Sequence, residues 1–142
     1  MADRRSTDTW RGNLFDGKGT VTAASSGLFT DAGVTWASRT EDAGGATSPE
    51  ELISGAHAAC FGMALSNELS SRGHEPALLR IGATCSFVDG EVTTIVLEID
   101  AEVPGVDEAG FREGVTAAEG SCPVSNALRG NVEITVNARL ES

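Results

Sequence analysis

An α+β fold in a single domain spanning residues 1–142 is predicted from three observations. The first third of the chain is short apolar and polar alternation broken by Gly and Asp. The middle carries a long run of apolar residues at spacings of three and four behind a clear helix start. The second half alternates strictly on either side of Asp89-Gly90. In order, the candidate strands Thr7 to Asn13, Gly19 to Ala24 and Val34 to Ser38 are separated by Asp16-Gly17 and Asp31-Ala32-Gly33, which suits a β-meander. A Gly-rich loop follows from Glu41 to Thr47. Ser48 can then cap a helix, Pro49 fits its first position and Glu51 can close a capping box. Leu52, Ala56, Ala59, Cys60, Met63, Ala64 and Asn67 share one face of that helix, which ends near Arg72-Gly73. Leu79, Ile81, Ala83, Cys85 and Phe87 line one face of a strand, and Asp89-Gly90 turns it into a second strand carrying Ile95 to Val103. Asp107 to Glu119 forms a helix, Cys122-Pro123 opens a shorter one that ends before Gly130, and Val132 to Leu140 makes a last strand. The sheets are expected to be antiparallel.

Composition narrows the function. There are 10 Lys+Arg against 21 Asp+Glu, a net charge of −11, with 40% hydrophobic and 22% charged residues. The chain has apolar material for a core. The acidic balance argues against nucleic acid and against an anionic membrane surface. No apolar run approaches the ~18 residues of a spanning helix, and Met-Ala-Asp-Arg-Arg-Ser-Thr-Asp lacks the apolar centre of a signal peptide. The expected setting is therefore the cytoplasm, without membrane or nucleic-acid partners.

Three cysteines, Cys60, Cys85 and Cys122, are an odd number with no CxxC spacing, so neither a disulfide framework nor a zinc ribbon is expected. Cys60 lies on the apolar helix stripe, more than two turns from the helix start. It is either an inert core thiol or a thiolate whose stabilising cation comes from elsewhere. Cys122 stands where orphan amides at a helix start favour a thiolate, or where a small residue simply caps. Cys85 reads as a packed strand residue. His57, one turn before Cys60, reads as a helix-packing residue; a metal site shared with the two cysteines has only three nameable ligands and fits no zinc spacing. Arg39 precedes the Gly-rich loop at a strand end, where it is either solvated or presented to a site. Glu50 in the first helical turn fits the helix dipole equally well.

The run Thr47-Ser48-Pro49-Glu50-Glu51-Leu52-Ile53-Ser54-Gly55-Ala56-His57-Ala58-Ala59-Cys60-Phe61-Gly62-Met63-Ala64-Leu65 closely resembles the central-helix signature of the OsmC/Ohr family, the osmotically inducible and organic hydroperoxide resistance proteins. Gly120-Ser121-Cys122-Pro123-Val124-Ser125-Asn126-Ala127-Leu128 resembles its second cysteine signature, and Trp10-Arg11-Gly12, Gly17-Lys18-Gly19 and Val103-Pro104-Gly105-Val106-Asp107 match in order. The N-terminal loop Asn13-Leu14-Phe15-Asp16-Gly17-Lys18 has no Arg, which places the likeness with the OsmC-type branch. Thr40, Asp42, Gly62 and Asn67-Glu68 depart from the family pattern.

The resemblance implies a thiol peroxidase of the oxidative stress response, needing neither cofactor nor metal. Cys60 is its peroxidatic thiol and Cys122 the resolving thiol that closes an intramolecular disulfide. Arg39 stabilises thiolate and peroxide, and Glu50 orients Arg39. Organic hydroperoxides are the implied substrates, with hydrogen peroxide weaker, and a dithiol or thiol, including a lipoylated protein, is the implied reductant. The competing reading is a non-enzymatic redox-sensing or ligand-binding protein on the same fold. The family architecture is an intertwined homodimer, and helix geometry agrees: Glu50 and Cys60, ten residues apart, lie ~15 Å apart along one helix, so Glu50 serves the Cys60 site of a partner subunit unless the helix breaks. An apolar pocket around Cys60 is expected from Leu52, Phe61, Met63, Trp36 or Phe111, and such a pocket favours organic peroxides.

Overall fold

The computed structural model describes residues Met1–Glu141, which divide into two units, Met1–Leu52 and Ile53 onward. In the first unit, β1 (Thr7–Arg11), β2 (Lys18–Thr22) and β3 (Ala32–Val34) form an antiparallel sheet in that order, the expected meander. Gly17 and Gly19 lie against Trp10. A Cβ at Gly17 would stand 2.2 Å from the Asn13 carbonyl oxygen, and one at Gly19 2.7 Å from the Trp10 ring.

The third strand lies earlier than predicted, on Ala32 and Gly33 of the expected turn, and shares only Val34 with the expected strand Val34 to Ser38. It stops at Val34, and Trp36–Thr40 form a short helix, α1. Val34-Thr35-Trp36 has strand propensity, but a reciprocal cap overrides it. Ser38 N–H donates to Thr35 Oγ1 and Thr35 N–H donates to Ser38 Oγ, both at 2.9 Å. Arg39 thus sits in the last turn of a helix and not at a strand end.

The long helix, α2 (Pro49–Ser71), runs unbroken for 23 residues. Glu51 N–H donates to Ser48 Oγ at 3.2 Å, as expected of a cap. The reciprocal half of the predicted capping box is not made, because the Glu51 carboxylate accepts instead from Thr47 Oγ1 at 2.6 Å.

In the second unit, β4 (Leu78–Val88), β5 (Glu91–Glu102) and β6 (Glu133–Leu140) form a sheet in that order. Asp89 and Gly90 both take positive φ, 51° and 82°, the geometry of a tight hairpin turn. β5 pairs antiparallel with β4 but parallel with β6, from Thr94↔Glu133 to Ala101↔Leu140. The all-antiparallel expectation is corrected here. α3 (Glu108–Ser121) and α4 (Pro123–Leu128) return the chain from the end of β5 to its start, and a helical crossover of this kind joins parallel strands.

The core lies in this unit. Phe61, Leu65 and Leu69 from α2, Ile95, Leu97, Ile99 and Ala101 from β5, and Phe111, Val115 and Ala118 from α3 are buried together with Cys122 and Ala138. Two glycines set the close approaches. A Cβ on Gly114 would stand 2.6 Å from Leu69 Cδ2 and force that side chain aside, and one on Gly62 would stand 3.2 Å from Ile81 Cδ1 of β4. Leu79, Ile81, Ala83, Cys85 and Phe87 of β4 are half-buried. Among the described residues no helix is long and apolar enough to cross a membrane.

Candidate active site

Two constellations carry chemistry, one in each unit. In the first, the carboxylate of Glu50 is buried at the start of α2 and grips the guanidinium of Arg39. Arg39 Nε donates to Oε1 at 3.0 Å and Oε2 at 3.2 Å, and Nη2 donates to Oε1 at 2.8 Å. A buried carboxylate requires such a partner, and the fork-to-carboxylate geometry fixes the guanidinium plane. The Trp36 ring lies 6.0 Å from Arg39 Cζ, within cation–π range. Arg39 lines a pocket of about 320 Å³ whose other walls include Trp10, Leu14, Val21, Trp36 and Leu52.

In the second unit, the fold brings Cys60 and Cys122, 62 positions apart in sequence, within hydrogen-bonding reach of each other, and both are free thiols. Cys60 is half-buried on α2, and Cys122 is fully buried at the N-cap of α4. Burial is the largest influence on Cys60 and pushes its thiol up. The Val124 N–H pulls it down, Cys122 pushes it up again, and the thiol stays raised. Burial is also the largest single influence on Cys122 and raises it. There, however, the Ser125 hydroxyl and amide, the Cys60 thiol and the Val124 amide together prevail, and the Cys122 thiol is lowered. No cation is among the groups that shift Cys60.

His57 is fully buried, and its Nε2 lies 2.7 Å from Ser125 Oγ. Burial holds its pKa below 6.5. Its Nδ1 is buried without a hydrogen-bond partner. Ser125 falls within the second cysteine signature, but nothing in the sequence sets it apart from an ordinary helical Ser. Cys85 is half-buried on β4 beside the core. Among the described residues no three or more His, Cys, Asp or Glu side chains gather as metal ligands. The predicted pocket lining needs correction. Phe61 and Phe111 are core residues with no exposure, and Met63 is 74% exposed. Leu52 and Trp36 line the Arg39 pocket. The periodicity that places Phe61 and Phe111 on apolar faces does not tell a pocket wall from a packed core.

The profile of the OsmC-like protein family matches residues 41–137, a span that contains Glu50, Cys60 and Cys122. The chain belongs to the OsmC-like family. It is 39% identical over 137 residues to the peroxiredoxin OsmC of Escherichia coli (strain K12), covering 94% of this chain and 93% of that protein. It is 33% identical over 101 residues to the organic hydroperoxide resistance protein of Xanthomonas axonopodis pv. citri, covering 66% and 67%. Among solved structures, OhrB of Bacillus subtilis superposes with a TM-score of 0.70 at 28% identity, covering 95% of this chain and 98% of that one. An OsmC-like protein of Mycoplasma pneumoniae superposes at 0.77 and 17% identity, covering 99% of each, a likeness of fold. The role named among curated members of the OsmC-like family is peroxidase-type.

Proposed function

We propose that this chain is a thiol-dependent peroxidase that reduces organic hydroperoxides, and hydrogen peroxide more weakly. The observation that carries this reading is the meeting of Cys60 and Cys122, both reduced, across 62 positions of sequence. The Cys60 thiolate attacks the terminal peroxide oxygen, the O–O bond breaks, the alkoxide leaves and takes a proton as alcohol, and Cys60 becomes a sulfenic acid. Cys122 attacks that sulfur, hydroxide leaves as water, and an intramolecular disulfide remains, which protects Cys60 from further oxidation. A dithiol or thiol, a lipoylated protein among the candidates, restores both thiols.

Arg39 supplies the cation for Cys60, and Glu50 fixes its plane. Because α2 is unbroken from Pro49 to Ser71, we assign Arg39 and Glu50 to the Cys60 of a partner subunit. The active form is then a homodimer, with the 142 residues acting as one functional domain. The apolar pocket beside Arg39 suits the alkyl part of an organic peroxide.

The test is a single-turnover thiol count by intact mass, with one equivalent of an alkyl hydroperoxide and a Cys60→Ser control. The expected result is rapid loss of Cys60 and Cys122 as an internal disulfide in the wild type and no reaction in the control. Survival of all three thiols would overturn the assignment. Thiol loss without turnover in the presence of a dithiol would mark a redox sensor instead. Arg39→Ala is expected to lower kcat/KM about 10²-fold or more, in the range seen when one charge-stabilising donor is removed.

A further inference from the structure

The core of the second unit contains a polar pair, His57 and Ser125, that the peroxidase reading leaves without a task. His57 on α2 has no exposure, and Ser125 on α4 is 2% exposed. A buried imidazole and a buried hydroxyl are each costly unless bonded. They bond to each other, Nε2 to Oγ at 2.7 Å. Ser125 stands in the first turn of α4, three residues after the buried N-cap Cys122, and its hydroxyl is among the groups that lower the Cys122 thiol, as is Cys60.

Hydrogen-bond direction among these groups follows from what each atom can do. A thiolate at Cys122 only accepts, so Ser125 Oγ–H donates to it. Ser125 Oγ must then accept from His57, which places the imidazole proton on Nε2 and leaves Nδ1 as a bare acceptor. Nδ1 is the buried side-chain atom with no partner among the described residues, which suits a ring held in that tautomer. Burial keeps the imidazole neutral, and it is the single influence that shifts His57. The titratable groups tied to the pair are Cys122 and Cys60, each of which acts on the other.

We propose that His57 and Ser125 are positioning residues for the second half of the reaction, holding the Cys122 sulfur aimed at the Cys60 sulfur. The inference rests on the assignment of Cys122 as resolving thiol. In the step it serves, the S–S bond forms as the Cys60 S–O bond breaks. The sulfur of Cys122 is oxidised, the sulfenic sulfur is reduced, and the proton lost by Cys122 ends on the departing hydroxide as water. His57 gains and loses no net proton. It acts through Ser125.

The test separates this inference from the peroxidase reading. In a Cys60→Ser, Cys85→Ala background, the thiolate absorbance of Cys122 is titrated with pH, with no peroxide present. A hydrogen bond to a charged group is worth enough that Ser125→Ala should cut the thiolate fraction at neutral pH about tenfold and move the titration to higher pH. His57→Leu should move it the same way, and His57→Gln, which keeps an N–H at the Nε2 position, should restore it. In a chain with all its cysteines, disulfide closure after a peroxide pulse should slow about threefold in Ser125→Ala, relative to the peroxide step. The slowing is less than tenfold because a more basic thiolate is also a better nucleophile. An unmoved titration in Ser125→Ala overturns the proposal, and so does an equal shift in His57→Leu and His57→Gln, which would leave His57 as core filling. The titration reads the relay even if Cys60 shows no peroxide chemistry.

Discussion

The segment Met1–Leu52 buries no apolar side chain, whereas the residues from Ile53 onward bury Phe61, Leu65, Leu69, Ile95, Leu97 and Phe111 with no exposure at all. The small unit compensates with close backbone packing. Gly17 and Gly19 sit under Trp10, a capping box holds α1, and the Arg39–Glu50 pair occupies one buried carboxylate. The larger unit relies on area removed from water, roughly 1.5–3 kcal/mol for each large apolar side chain. The chemistry divides the same way. The cation stands where a polar network holds it, and the thiols stand in the core, where a neighbouring sulfur, a hydroxyl and two amides control them. A region with few apolar contacts can present a fixed charge only through bidentate bonds, while a buried thiol is tuned by whichever few donors reach it.

That contrast can be broken at its strongest point. Phe61→Ala should destabilise the second unit by about 3–5 kcal/mol, the cost of emptying a large buried aromatic site, read as a fall in the urea midpoint by far-ultraviolet circular dichroism. Both tryptophans, Trp10 and Trp36, lie in the first unit, so their fluorescence reports that unit alone. If the two probes give separate transitions in the wild type, the units unfold apart, and if they coincide, the units unfold as one. Gly17→Ala attacks the other side. Its Cβ would meet backbone oxygens of Asn13 and Arg11 at 2.2 and 2.7 Å and the Trp10 indole nitrogen at 2.9 Å. A cost of about 1–3 kcal/mol is expected, seen first in the fluorescence.

The smallest expected effect is on pH dependence. Burial lowers His57 below 6.5. Above pH 6.5 the ring is neutral whether the chain is folded or not, and its contribution is fully present. As pH falls below 6.5 the unfolded chain takes the proton first, so stability is lost progressively down to the folded value. The slope from this one group is at most about 1.4 kcal/mol per pH unit. His57→Gln should flatten the acid limb of the urea midpoint by that share. An identical limb in both proteins would mean that His57 titrates as it does in the unfolded chain.

Much of this was legible in the sequence, and the misses have physical causes. Ser48-Pro49 and Gly73 bracket α2 because caps are local chemistry, and Asp89-Gly90 fixes its hairpin for the same reason. The strand expected at Val34 to Ser38 failed because Thr35 and Ser38 cap each other, a local signal masked by β-branched and aromatic neighbours. The parallel pairing of β6 depends on where α3 and α4 return the chain, which no alternation pattern encodes. Of the candidate residues, Cys60, Cys122, Arg39 and Glu50 are legible as motif positions. Ser125 does not stand out, because a lone Ser in a short helix looks like surface until the sulfur beside it is known.

The adjacency of the two thiols also has a mechanical consequence. A bond between Cys60 and Cys122 would close a loop of about 62 residues around much of the hydrophobic core. The chain-entropy account of such a crosslink gives about 4 kcal/mol at 25 °C, before any strain. Oxidation would then stiffen the molecule and reduction would slacken it. The spent enzyme would be the hardest to unfold, and the protein ready for its next peroxide the softest.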